Sequence, residues 1–350
     1  MPPMTRAIFP PLAGVLLFLQ ACAGSAAQAP ASADAKPSGP AAASAGAALQ
    51  PLTIAYSSAS LTEIPVFIAQ QKGFFREEGL DVQVPYIRGS AELAAAVISN
   101  NVQIAYTVAE GVLGAAAEGG VQPVFMTMTD DHYAYNVVTK PEIKAAADLA
   151  GKVFSIGTGP ATNPDFALTA WLDAHGMKAD AVKRVTGGDT ATRAAALLSG
   201  KVDATLLDPP YDLPVIDKGF NLLAAVYDDV KKPSAGAVLY STRAYANAHH
   251  TQMVAVAKGL IKAVRFGKSN PAETKKLITA WTKIEDQPSL DRAYDVYFNK
   301  LLSAEPYPTV EAIQSSIANS DKARKKASGL KAEDFIDTSY VKEALQQLGS

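Results

Sequence analysis

Three short segments carry the side chains with the most chemical potential: Arg88-Gly89-Ser90, Gly187-Gly188-Asp189-Thr190 and Asp208-Pro209-Pro210-Tyr211. A guanidinium can hold a carboxylate, sulfonate or phosphate through two parallel hydrogen bonds. Arg88 is therefore either an anion anchor or a solvated arginine paired with a nearby Glu. Asp208 precedes two prolines, which suits a helix N-cap and equally a carboxylate that receives a ligand amine or hydroxyl. Gly89 and Gly188 either let a backbone approach a ligand or serve turn geometry. These groups suit the binding of small polar molecules. Bond-breaking chemistry needs other patterns. The four histidines form no metal set, since His249 and His250 are adjacent while His132 and His175 are isolated. No Gly-x-Ser-x-Gly elbow or P-loop occurs, and Gly157-Thr158-Gly159 lacks the third glycine of a dinucleotide fingerprint. A binder that is not an enzyme, with no metal and no cofactor, is expected.

Binding groups need a frame, and from Leu52 onward short apolar strands alternate with helical patterns, the mark of parallel-sheet α/β architecture. Strands are expected at Leu52 to Tyr56, Asp81 to Ile87, Gln103 to Tyr106 and Pro123 to Met128, with helices between them at Ile64 to Lys72, Ser90 to Ser99 and Val108 to Ala117. A second set has strands at Lys152 to Ile156, Val182 to Val185, Ala204 to Leu207 and Leu222 to Val226, and helices at Asn163 to His175, Asp189 to Leu198 and Pro209 to Lys218. Ala94-Ala95-Ala96-Val97-Ile98-Ser99-Asn100 aligns with Ala194-Ala195-Ala196-Leu197-Leu198-Ser199-Gly200 at an offset of 100 residues. Asn100 and Gly200 can each end their helix in a left-handed conformation. The expected architecture is two Rossmann-like lobes around a hinged cleft. Residues 51–131 and 237–350 form lobe 1, with the C-terminal helices, and residues 132–236 form lobe 2.

In such sheets ligands bind beyond the carboxyl ends of the strands, where helix N-termini offer free N–H groups and partial positive charge. Lobe 1 would contribute Tyr56, Ser57, Ser58, Arg88, Gly89, Ser90 and Thr107 to the site. Lobe 2 would contribute Thr158, Gly159, Thr162, Gly188, Asp189, Thr190, Asp208 and Tyr211. Asp131, beside Asp130 and His132 at the first crossover, is either part of a hinge loop or a ligand contact. Arg88 and the two sets of helix N-termini favour an anionic organic solute, whereas Glu110, Asp131, Asp189 and Asp208 would favour an amine or pyrimidine. A formal net charge of −2 makes no electrostatic case for nucleic acid.

The first 50 residues obey a different logic. Arg6 precedes an apolar run from Leu12 to Leu19, too short for a permanent span, and the only cysteine, Cys22, follows it. Residues 1–22 are expected to be a signal peptide ending at a lipid-attachment cysteine, because Leu19-Gln20-Ala21-Cys22 is similar to a bacterial lipobox. The alternative is ordinary cleavage after Ala21 or Ala23. Residues 23–50, almost wholly Ala, Ser, Gly and Pro, cannot bury a core and would form a disordered tether. The body would then sit in the periplasm or at the cell surface, lipid-anchored to a membrane.

Ile64-Pro65-Val66-Phe67-Ile68-Ala69, Lys72-Gly73-Phe74-Phe75 and Glu78-Gly79-Leu80-Asp81-Val82 resemble the opening motif of ABC-importer solute-binding proteins of the nitrate/sulfonate/taurine, NMT1/THI5-like group. Tyr86-Ile87-Arg88-Gly89-Ser90, Leu149-Ala150-Gly151-Lys152, Ile156-Gly157-Thr158-Gly159 and Asp208-Pro209-Pro210-Tyr211 extend the likeness. The resemblance implies a periplasmic-binding-protein-like (type II) fold that closes on a small-molecule ligand and presents it to an ABC permease and ATPase complex. The protein would act as a monomer. Pyrimidine synthases of yeast share this fold but use a cysteine-rich motif with iron, and that motif is absent here. A ligand-sensing lipoprotein is a third possibility.

Overall fold

A computed structural model describes residues 48–324 and 329–349. The expected signal peptide, Cys22 and most of the tether lie outside the described residues. Ten strands form two five-stranded sheets. The first sheet contains β1 (Gln50–Tyr56), β2 (Leu80–Gln83), β3 (Ile104–Thr107) and β4 (Pro123–Asp130). The second contains β5 (Asn136–Thr139), β6 (Val153–Ile156), β7 (Lys183–Thr186), β8 (Ala204–Leu207) and β9 (Asn221–Ala225). The chain then returns, and β10 (Ala237–Thr242) completes the first sheet. Their orders are β2-β1-β3-β10-β4 and β7-β6-β8-β5-β9. In each, three parallel strands are followed by an antiparallel fourth strand that has arrived from the other lobe. The result is a two-lobed α/β fold.

Burial follows position in the sheet. β3, β4 and β8 are buried along their whole length because helices cover both faces. β2, at an edge, alternates instead, with Leu80 and Val82 inward and Asp81 and Gln83 outward. It stops at Gln83, four residues short of the expected Ile87, because Pro85 has no N–H to offer the ladder. Contact with β1 resumes irregularly: Tyr56 N–H donates to the Pro85 carbonyl at 3.2 Å and Ile87 N–H to the Tyr56 carbonyl at 2.9 Å.

The 100-residue echo is structural. Helices Ser90–Ile98 and Thr190–Leu198 occupy equivalent places, and the residues after them, Asn100 and Gly200, take φ of 59° and 73°. β5, absent from the expected elements, is the largest difference. Its four residues, Asn-Val-Val-Thr, are too few to show a period. The segment after Asp208 also differs. Tyr211 N–H returns to the Asp208 carbonyl at 2.9 Å in a turn, and the helix begins only at Leu213 with Asp212 at its N-cap position, so Asp208 is not a helix cap.

Lobe 1 gains its bulk from the 20-residue helix His250–Ser269, whose Leu260, Ile261 and Val264 share a core with Leu52, Ile54 and Ile64. Close packing needs glycine at one point. A Cβ at Gly267 would lie 2.0 Å from the ring of the fully buried Phe298. Gly267→Ala should raise helix propensity by about 1 kcal/mol. Overpacking costs about 1 to 3 kcal/mol, so the variant should unfold at lower urea concentration than the parent. An unchanged or higher midpoint would mean that the Phe298 ring gives way without loss.

Candidate functional site

On lobe 1 the loop after β1 is organised by Glu63, the residue just before helix Ile64–Gln71. Its Oε2 accepts the backbone N–H groups of Ser57 and Ser58 at 2.9 and 3.0 Å. The Ser57 hydroxyl reaches Oε1 at 3.4 Å and also contacts the Thr107 hydroxyl beneath it. Glu63 is 1% exposed, and burial pushes its pKa up to about 8 against these hydrogen bonds. The loop is thus pinned to a carboxyl that stays neutral at pH 7.

On lobe 2 the corresponding role falls to a charge. Arg193 is buried in helix Thr190–Leu198, and each part of its guanidinium is matched. Nε donates to the Leu206 carbonyl at 3.0 Å, Nη1 to the Gly188 carbonyl at 2.8 Å and Nη2 to the Thr190 hydroxyl at 3.0 Å. Thr190 in turn donates to Asp208 Oδ1 at 2.5 Å. Burial raises the Asp208 pKa, with the Thr190 hydrogen bond and the positive charge of Arg193 acting against it. A Cβ at Gly187 would sit 1.8 Å from Ser155 Oγ and 2.8 Å from Arg193 Cγ, so this glycine serves internal packing. Gly188 and Gly89, at φ of 79° and 90°, serve turn geometry.

Between the lobes lies a cavity of about 340 Å³, within the range usual for small-molecule sites. From lobe 1 its wall includes Ser57, Ser58, Arg88, Gly89 and Ser90, and from lobe 2 Thr158, Thr162, Gly188, Asp189, Thr190, Asp208 and Tyr211. Twelve of the sixteen expected ligand-binding residues meet there. The other four lie off the wall. Thr107 is buried under Ser57, and Tyr56 packs on Tyr86 and Trp281 with ring centroids 5.4 and 4.7 Å away. Gly159 offers its carbonyl to the Thr162 hydroxyl at 2.8 Å, and Asp131 stands at the crossover.

Polar contacts cross the cleft. Arg88 Nη2 lies 3.8 Å from Asp189 Oδ2, an ion pair between two exposed side chains but too long for a hydrogen bond. The Asn163 amide lies against the buried Glu110, whose carboxyl also accepts the Ser316 hydroxyl at 3.2 Å and whose pKa burial raises to about 7. At the crossover, Asp130 and Asp131 both face His132 Nδ1, at 3.2 and 2.9 Å, and their hydrogen bonds raise its pKa to about 10. The three could crowd a cation, but a protonated Nδ1 is a donor and not a metal ligand.

Glu63, Tyr135 and Arg193 line the same wall without having been singled out in the sequence, beside Ser60 and Tyr86. Arg193 was within reach. It occupies the place of Leu93 in the 100-residue alignment, and Leu93 is a fully buried core residue. A charge at the core position of a repeat is a signal of special chemistry. Glu63 had a weaker one, an acid immediately before an apolar helix.

Two mixed sheets with a cavity between them define a two-lobed α/β protein. The model of the NMT1/THI5-like family matches residues 61–274, more than half of the sequence. The chain belongs to that family. YtlA of Bacillus subtilis (strain 168), named as a binding protein, is 25% identical over 236 residues, covering 64% of this chain and 68% of YtlA. The alkanesulfonate-binding protein SsuA from Xanthomonas axonopodis pv. citri, solved with MOPS bound, has the same fold. Its TM-score is 0.67 and its identity 17%, over 84% of this chain and 100% of SsuA. The periplasmic nitrate-binding protein NrtA from Synechocystis PCC 6803 superposes with a TM-score of 0.66 at 12% identity, over 86% of this chain and 89% of NrtA. Among the described residues no helix is long and apolar enough to cross a membrane.

The neutral Glu63 makes a prediction about pH. Folded, it keeps its proton up to about 8, whereas its ordinary value is 4.5. Unfolding between these values releases a proton, so this group lowers stability as pH rises, by up to about 1.4 kcal/mol per pH unit. Glu63→Gln mimics the protonated acid and removes the effect. Urea unfolding should find the two proteins alike near the lower limit and the variant progressively more stable towards the upper one. Parallel stability curves would show that Glu63 is ionised in the folded protein.

Proposed function

We propose that this chain is the capture component of an ABC importer, closing its two lobes on a small organic solute and delivering it to a membrane permease. The observation that carries this reading is the cavity itself, walled by strand-end loops of both lobes and bridged by Arg88 and Asp189. Closure requires no catalysis, only that the solute bind the closed arrangement better than the open one. The lobe-1 wall supports an anionic group on the solute. The Arg88 guanidinium is held by Asp189 only at 3.8 Å, which leaves its donors for a carboxylate or sulfonate. SsuA and NrtA, which share the fold, are named for binding alkanesulfonate and nitrate.

In the same reading Cys22 carries a lipid, and the tether that begins at residue 23 and ends before β1 at Gln50 lets the lobes reach the permease, roughly 30 Å root-mean-square for a flexible chain of that length. Cys22→Ser should release the protein from membranes without altering solute affinity. Fractionation that finds both forms equally membrane-bound would remove the anchor from the proposal.

Arg88 is 67% exposed, so its loss should fall at the lower end of the range for charged hydrogen bonds. A thermal-shift screen would first find the solute that stabilises most. Calorimetric titration with that solute should then show Arg88→Ala binding about tenfold more weakly, with Arg88→Lys between it and the parent. Binding within about twofold for both variants would take the anion contact away from Arg88.

A further inference from the structure

Asp208 is the most constrained polar group on the cavity wall. It is 1% exposed, and its two oxygens are in different situations. Oδ1 is an acceptor by direction: the Thr190 oxygen receives a proton from Arg193 Nη2, so the single hydroxyl proton of Thr190 goes to Asp208. Oδ2 is buried and has no hydrogen-bond partner among the described residues. No Arg193 hydrogen bond reaches it: Nε, Nη1 and Nη2 bond to Leu206, Gly188 and Thr190 instead. The Ser60 hydroxyl of the opposite lobe approaches the carboxyl without completing a bond to Oδ2. Tyr135, Tyr211 and Tyr297 stand nearby and feel the negative charge. The permanent charge of the adjacent buried Arg193 favours the ionised form of Asp208 against its burial. A buried carboxylate oxygen with nothing to accept is strongly unfavourable, and a second acceptor placed against it would be worse.

We infer that the solute presents an N–H or O–H donor to Asp208 Oδ2, so that simple oxyanions without a donor are rejected at this end of the cavity. The inference rests on the cleft being a solute site, as proposed above, and it narrows the solute to one with a donor. It is compatible with an anionic far end, since Arg88 and Asp208 belong to different lobes.

The test uses matched pairs of solutes that share an acidic group and differ in an amino donor: taurine with ethanesulfonate, and 4-aminobenzoate with benzoate. Thermal shift and calorimetry on the full chain should show at least one amino member binding about tenfold or more tightly than its partner. Asp208→Asn keeps an acceptor for Thr190 but turns a donor towards the cavity. It should weaken the amino solute at least tenfold and leave the donor-free partner unchanged or tighter. The comparison within each pair needs only the parent protein, so a misfolded variant does not block the test. A donor-free solute that binds as tightly as its amino partner, or an Asp208→Asn protein that keeps the parent's preference, would overturn the inference while leaving solute capture intact. No binding by any of the four, in a protein that a wide solute screen also fails to stabilise, would count against the capture reading and the inference together. No binding by the four, with a donor-free solute found in the wide screen, overturns the inference alone.

Discussion

A buried arginine has to be matched on all sides or expelled, and that requirement at Arg193 sets the shape of the lobe-2 wall. Its partners are the last turn before the helix, the helix's own first hydroxyl and the carbonyl near the end of β8. The guanidinium therefore ties the turn and first helical residues at 188–193 to the end of β8. Gly187 has no room for a side chain because Arg193 and Ser155 fill the space. Asp208 lies where the guanidinium charge offsets part of the cost of burying a carboxylate. The lobe-2 loop at Gly188 faces the cavity with a buried charge holding it from behind.

Lobe 1 repeats the frame without the charge. Leu93 stands where Arg193 stands, and the loop after β1 is tied down by a neutral acid, Glu63, accepting two N–H groups. The two halves of the cleft thus share helix placement, cap position and left-handed exit at Asn100 and Gly200 while differing in electrostatics. A solute caught between them meets serine hydroxyls and the exposed Arg88 guanidinium on one side and the Arg193–Thr190–Asp208 cluster on the other. A cleft made of identical halves would favour a symmetrical ligand, and this one does not.

Much of this was legible in the residues. Strand-helix alternation, the 100-residue echo and the loops at strand ends are local patterns, and they located two lobes and most of the wall. What was hidden depended on tertiary pairing. β5 is four residues long and is a strand because β8 and β9 flank it, a fact no local period records. Tyr56, one residue before the wall begins, was assigned to the site although it faces the aromatic cluster with Tyr86 and Trp281. Alternation along a strand places neighbours on opposite faces, but the sequence does not say which face is the cleft. Glu63 escaped because an isolated acid beside an apolar helix is ordinarily a surface residue, and its burial follows from the return of the Ser57–Ser58 loop over it.

The exchange of fourth strands between the sheets has a consequence for assembly. β4 pairs along its length with β10, which lies between it and β3 and comes more than 100 residues later, and its other edge meets Ile336 in a bridge at Phe125. A chain made from its N-terminus presents β4, with Val124, Phe125, Met126 and Met128, as an unpaired strand while lobe 2 is still being synthesised. The second sheet suffers no such delay, since β5 to β9 are contiguous in sequence. Lobe 2 can therefore close first and hand β10 back to a partner that has been waiting with an open edge, the kind that invites wrong pairing. The topology lets the inner lobe complete its sheet while the outer one still waits for a strand.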